Sequence, residues 1–495
     1  MKSNKRCFLI LILLLVTSCS GGGSSSDGSI TSSVTLSSIT VTSASPSIYY
    51  VNATEQFTAT GTYSDNTTQN LTTSVVWSSS DTTVATISNA AGSNGMVTSL
   101  ATGKTTIKAL LGSVSGSTVL TVTSSTATPN NILTVTVNGT ASYPNKPLVS
   151  VTVCSPSTAT CKTIDDILLD TGSYGLRIFG SLLKGISLTQ ATSGSGSLAE
   201  CIQYSDSSAD WGPVQTAVVV LGNEPAVTVP IQVIDYTFGN PKSCTGNLDT
   251  TPAEAGYNGI LGVGLFVQDC GSACESPNSN NGQYYSCSGL SCTGTAASIS
   301  SQVQNPVALL QVDNNGVIVE LPSLPLGGSP SVNGSLILGI GTQTNNQPSA
   351  GVTAYPTDNV YGEFTTIFEG SSLTSSFIDT GSNSLSFPSK TSSYNLTGQL
   401  PDCKINPGWF CPAVTPPAAV AYSAINGAIG SPTVNFQIGN ADDLFSSTNN
   451  VFVELGGEGS AGSFDWGLPF FFGRYVYIGI EGTSSSLGSG PYFAY

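Results

Sequence analysis

The sequence contains no histidine. That excludes serine–histidine–aspartate and cysteine–histidine catalysis, histidine-ligated zinc and histidine proton shuttles. Charge is scarce as well. Asp, Glu, Lys and Arg make up 8% of 495 residues, against about 25% in ordinary soluble domains. Cations are the scarcer sign, with 13 Lys and Arg facing 29 Asp and Glu, a net charge of −16. A phosphate backbone needs clustered cations, so nucleic acid is excluded as a partner. Adhesion to anionic lipid through a basic patch is excluded on the same ground. Without histidine, acid–base chemistry falls first to carboxylates.

What is plentiful is glycine, 54 residues, within a chain that is 39% hydrophobic and rich in Ser and Thr. This composition suits short strands and many turns, so the expected fold class is all-β. At roughly 100–200 residues per domain, the length predicts two to four domains.

Residues 1–18 read as a lipoprotein signal peptide. Lys2, Lys5 and Arg6 precede an apolar run from Phe8 to Val16. A bilayer span needs about 20 apolar residues, so this run is too short to cross. Val16-Thr17-Ser18-Cys19 resembles a bacterial lipobox. The resemblance implies cleavage before Cys19, lipid on its sulfur, and residues 19–33 as a flexible tether. An ordinary secretory signal is the alternative. The expected location is the bacterial cell envelope, with the lipid bilayer as a partner through the anchor. In a Gram-negative cell that means the outer membrane, facing the periplasm or the exterior.

Of twelve cysteines, ten remain beyond Cys7 and Cys19. In an exported chain such a set predicts disulfides. Cys154/Cys161, Cys287/Cys292 and Cys403/Cys411 are spaced as local pairs. Cys201, Cys244, Cys270 and Cys274 can pair in several ways. No C-x-x-C occurs, and no metal site is expected.

Residues 34–122 alternate apolar and polar with turn residues every 8–12 positions or so, the pattern of a β-sandwich. The text around Trp77 and Gly103 resembles the bacterial Ig-like domain, group 2. The resemblance implies a core role for Trp77, a turn at Gly103, and a stalk or adhesive surface. A polar linker follows over residues 123–131.

The rest of the chain, 132–495, carries the chemistry. Residues 167–177 read ILLDTGSYGLR, and 377–387 read FIDTGSNSLSF. Each is an apolar run followed by Asp-Thr-Gly-Ser. One copy is explained by a polar turn after a strand. Two copies with matched flanks suggest two similar halves. If the loops meet, Asp170 and Asp379 cannot both ionise and must share a proton. Asp165-Asp166 reads as a solvated strand end, Asp313-Asn314-Asn315-Gly316 as a hairpin turn lacking a Ca²⁺ pattern, and Asp442-Asp443 as a loop.

The double motif resembles the pepsin-like, two-lobed aspartic peptidases. Further matches follow in that family's order: Tyr204 within CIQYS at the flap tyrosine, then NGILGVG at 258–264. GSLILG at 334–339, YGEF at 361–364 and WGLPFFFGRYV at 466–476 complete the set. The resemblance implies lobes over 132–345 and 346–495, a catalytic pair Asp170 and Asp379, and a peptide or protein substrate. It implies that Thr171 and Thr380 bond across the loops and that Ser173 and Ser382 orient the carboxylates. Gly172 and Gly381 would admit the backbone, and Tyr204 would cover the cleft. No cofactor or metal is implied, and the optimum is expected at acidic pH. Three departures stand out: Arg177 in place of an aromatic, Asp465 in place of an apolar residue, and a Cys-rich insertion over 265–320. No basic pro-segment precedes the module. The alternative function is a catalytically inactive envelope or surface binding protein, and a weaker one is self-processing.

Overall fold

The computed structural model describes residues 34–495 apart from 44–46, 49–53, 123–130, 277–281, 390–399, 416–417 and positions 91, 141, 159, 241, 243 and 429. The leader, Cys19, the tether and the linker at 123–130 lie outside the described residues. The described chain is all-β with few, short helices, and it divides into two compact units at residues 124 and 125.

Two sheets form the first unit. One runs Leu36–Ser43, Thr54–Tyr63, Met96–Ser99, Ala85–Ile87, with Thr68–Asn70 also on Thr54–Tyr63. The other runs Ser47–Ile48, Val114–Val122, Gly103–Leu111, Val76–Ser79. Period-two alternation turns Phe57, Trp77, Val97, Ile107 and Leu120 inward to a common core. Trp77 is buried there, and its indole N–H donates to the Thr72 carbonyl at 2.9 Å. Gly103 opens its strand just after the bend at 101–102. A Cβ at Gly103 would meet Val84 Cγ2 at 2.8 Å, and its φ of +152° disfavours a side chain too.

The second unit holds an 18-stranded and a seven-stranded sheet. The larger sheet joins the start and the end of the unit. Ile132–Thr140 pairs with Val332–Leu338, while Arg474–Gly479 pairs with Gly316–Leu321 and with Tyr492–Ala494.

Within this frame one arrangement occurs twice. Cys161–Asp170 runs parallel to Gly259–Val263, and Tyr174–Phe179 runs antiparallel to that same strand. Ser371–Ile378 runs parallel to Asp465–Trp466, and Leu385–Phe387 runs antiparallel to it. The registers correspond, Leu169 facing Leu261 as Ile378 faces Trp466. The residues just before the two aspartates, Leu169 and Ile378, are fully buried. Behind the second copy, Phe368, Phe387, Phe464 and Trp466 stack and pack edge to face.

Five disulfides form among the described residues. The three local pairs join as their spacing suggests, and the others are Cys201–Cys244 and Cys270–Cys274. Two acidic turns differ from expectation. Asp442 and Asp443 begin a short helix, Ala441–Phe445, capped by Asn440, whose side chain accepts from the Asp443 N–H. Asp313 is fully buried rather than at an open hairpin tip, and it accepts hydrogen bonds from Thr342 and Gln343. Tertiary closure over the 339–347 loop, invisible to local pattern, buries it.

Candidate functional site

Each strand of the repeated pair delivers an aspartate to its end. The chain then turns through Thr-Gly-Ser, and the two turns meet. The Gly172 N–H donates to Asp170 Oδ1 at 2.8 Å and also reaches Asp379 Oδ1 at 3.0 Å. Two oxygens sharing one N–H sit no more than about 6 Å apart. The Gly381 N–H donates to Asp379 Oδ1 at 2.7 Å. Neither glycine tolerates a side chain. A Cβ on Gly172 would lie 2.6 Å from the Asp379 carboxyl carbon, and one on Gly381 would lie 2.8 Å from Asp170 Oδ1.

Two threonines lock the turns together. The Thr171 N–H donates to Thr380 Oγ1 and the Thr380 N–H to Thr171 Oγ1, each at 3.0 Å. Their hydroxyls then donate onward, Thr171 to the Ile378 carbonyl at 3.2 Å and Thr380 to the Leu169 carbonyl at 2.7 Å. Both threonines are buried. Ser173 donates to Asp170 Oδ2, and Ser382 donates to Asp379 Oδ2 at 2.9 Å. The structure thus brings together all eight loop residues singled out in the sequence.

The electrostatics follow from this crowding. Burial pushes the Asp379 carboxyl well above the usual range, and the neighbouring charges of Asp170 and Asp465 push it further. Asp465 is itself raised to about 7, chiefly by burial, against the opposing pull of Ser382. The phenols of Tyr143 and Tyr174 lie close enough to feel both Asp170 and Asp379, and burial keeps them neutral. A charged and a protonated carboxyl side by side can take a proton from water and give one to a carbonyl oxygen.

A hairpin of Gly196–Gln203 and Ser208–Val220 carries the expected flap tyrosine. Tyr204 begins its turn, with the Tyr204 N–H bonded to the Ser208 carbonyl at 2.9 Å. Its hydroxyl donates to Asp210 Oδ2 at 2.8 Å, and its ring packs partly on the cluster of Leu168, Phe179 and Tyr257. The Tyr204 hydroxyl is therefore committed to the hairpin's own return strand.

Arg177 explains its own departure from the aromatic. It is fully buried and binds Glu200 at 3.0 Å and Asp269 at 2.9 Å, with a further bond to the Tyr174 carbonyl. Asp269 also accepts from the Tyr284 hydroxyl at 2.6 Å. One cation thus ties the strand after the first loop to the hairpin and to the Cys-rich insertion. The sequence shows Arg177 as a misfit, but its partners lie 23 and 92 residues away and have no local signature.

Cys403, Cys411 and Asp442 lie near one another. The two sulfurs are joined as a disulfide, so they offer no thiolate to a metal.

Comparison with known proteins divides the chain in the same place. The family described as "Protein of unknown function (DUF3443)" matches residues 127–495. The bacterial Ig-like domain (group 2) matches residues 35–122. Ice-binding protein 1 of Shewanella frigidimarina (strain NCIMB 400) is 33% identical over 198 residues, covering 37% of this chain and 21% of that protein. The chain thus spans about a fifth of the length of that relative.

Proposed function

The chain belongs to the DUF3443 family, and from that premise we propose that its second unit is an aspartic endopeptidase of the two-lobed, pepsin-like kind. One observation carries the reading: a single backbone N–H, that of Gly172, reaches the carboxylates of both Asp-Thr-Gly-Ser loops. The reciprocal threonine bonds support it, because they hold two separate loops in one register. The lobes run 132–345 and 346–495, with Asp170 and Asp379 as the catalytic pair.

In this mechanism the pair holds one proton, kept on the Asp379 side by burial and by the charge of Asp170. Asp170 takes a proton from a bound water as its oxygen attacks the peptide carbonyl carbon. Asp379 gives its proton to the carbonyl oxygen, forming a neutral tetrahedral diol. The diol returns a hydroxyl proton to Asp379, Asp170 protonates the amide nitrogen, and the carbon–nitrogen bond breaks. A carboxyl and an amine leave, and the pair again holds one proton. Ser173 and Ser382 fix the carboxylate planes, and the hairpin at Tyr204 covers the substrate.

The bacterial Ig-like domain and the stretch of likeness to Ice-binding protein 1 are consistent with an extracellular or surface protein. Within that setting Cys19 carries a lipid anchor, and the Ig-like domain spaces the peptidase from the envelope.

The test is cleavage of unfolded casein by the full chain between about pH 3 and 7. Activity is expected on the acid side, lost in Asp170→Asn and Asp379→Asn and blocked by a statine-type inhibitor. A folded chain that neither cleaves nor binds the inhibitor at any pH overturns the reading in favour of a binding protein on the same frame.

A further inference from the structure

Among the matched positions at which the two halves of the site differ, one carries an acid in the second half alone. In the first, Leu168 faces Ile260 in the parallel pair that delivers Asp170. In the second, the corresponding register sets Phe377 opposite Asp465. Ile260 is buried among Leu168, Phe179, Ile234 and Tyr257, so the strand pair works with an apolar residue there. The fold alone gives no reason for an acid at 465.

Strand alternation decides where that acid points. Phe464 and Trp466 are fully buried and stack on each other at 4.0 Å. Asp465 between them projects to the opposite side of the strand, where Ser382 and the two aspartates lie. Its Oδ1 is shut off from solvent and has no hydrogen-bond partner. Ser382 spends its hydroxyl proton on Asp379 Oδ2, which leaves the buried Asp465 Oδ1 without a donor. An unpaired buried charge is costly, so Asp465 keeps its proton.

We propose that Asp465 is a third acid of this site, acting on Asp379 by its charge and keeping a second proton within the group. This inference rests on the peptidase reading for its effect on rate. Three carboxyls then hold two protons, one shared by Asp170 and Asp379 and one on Asp465. The groups around it are Asp379 and Ser382 on the second loop, Asp170 on the first, and the neutral phenols of Tyr143 and Tyr174 nearby. When Asp465 gives up its proton at higher pH, its charge opposes loss of the last proton from the pair. The pair thus stays singly protonated, and active, to higher pH than two carboxyls alone would allow.

Asp465→Asn keeps the shape, and Asp465→Ile installs the residue of the other half. In both, the alkaline limb of kcat/KM should move down by about one to two pH units, the size of one unit charge a few ångströms away. The acid limb should stay in place. Limbs that coincide with the parent's in both variants overturn the proposal. A second readout needs no turnover: the infrared carbonyl band of protonated carboxyls at pH 6. Asp465→Asn should remove one buried carboxyl band and Asp379→Asn another. An unchanged band in Asp465→Asn overturns the proposal even if the chain cleaves nothing, and loss of the band supports it even then.

Discussion

At the residue scale, the site depends on groups too small to attract notice alone. Thr171 and Thr380 are each half of a reciprocal bond. Replacing either by valine keeps the shape but leaves a buried N–H and a buried carbonyl unpaired. Each such loss costs about 1–3 kcal/mol. Thr171→Val and Thr380→Val should therefore each lower stability in urea unfolding by about 2–6 kcal/mol, two such losses apiece, while serine at either position restores most of it. The two changes remove different bonds, so the double variant should cost close to the sum of the two. The loop residues were legible because they recur as Asp-Thr-Gly-Ser, and chemistry fixes each one's type. Asp465 was legible only as a misfit. Its meaning depends on the register that sets it against Phe377 and beside Ser382, which a single strand's pattern does not carry.

At the element scale, the hairpin of Gly196–Gln203 and Ser208–Val220 is held from beneath by charge. Arg177 is the cation between Glu200 and Asp269, all three out of water. Removing one member of a buried ion cluster costs about 3–5 kcal/mol, because the others stay buried without compensation. Arg177→Met should therefore destabilise the protein strongly at pH 8. Burial and the charge of Glu200 push Asp269 well above the usual carboxyl range, so acid neutralises it in place. The same variant should lose markedly less stability at pH 4, in paired urea unfolding curves. Equal losses at the two pH values would refute the account of a buried charge cluster. The Cys201–Cys244 disulfide fastens this hairpin from the other side. Sequence spacing resolved the pairs closed by tight turns, 5 to 8 residues apart. It left Cys201, Cys244, Cys270 and Cys274 open, since the 43 residues between the first two close only through the fold, and without that pair Cys270 and Cys274 have more than one partner to choose from. The sandwich was readable for the opposite reason: period-two alternation is local, and Trp77 and Phe57 fall inward with it.

For the whole molecule, the acidic balance acquires a direction. Asp210, Glu224 and Asp465 have different neighbours, yet each carboxyl is raised to about 7. Burial is the leading cause in all three. The charge of Asp249 adds to it at Asp210, and that of Asp313 at Glu224. A carboxyl raised in the folded state binds its proton more tightly there than in the unfolded chain, where its value is about 4. Folding then gains most below about pH 4, where the group is protonated in both states, and the gain is lost as pH climbs through 7. The surplus of 29 acids over 13 bases acts in the same direction, since self-repulsion grows as carboxyls ionise. Composition alone gave that surplus but not which acids the sheets enclose. The second unit's thermal midpoint should therefore be highest near pH 4–5 and fall by several degrees by pH 8. Asp210→Asn, which keeps the side-chain shape without a titrating group, should flatten part of that slope. A midpoint that rises from pH 5 to 8 would mean that these carboxyls are solvated, and with that the burial of Asp465 beside the aspartate pair would lose its support.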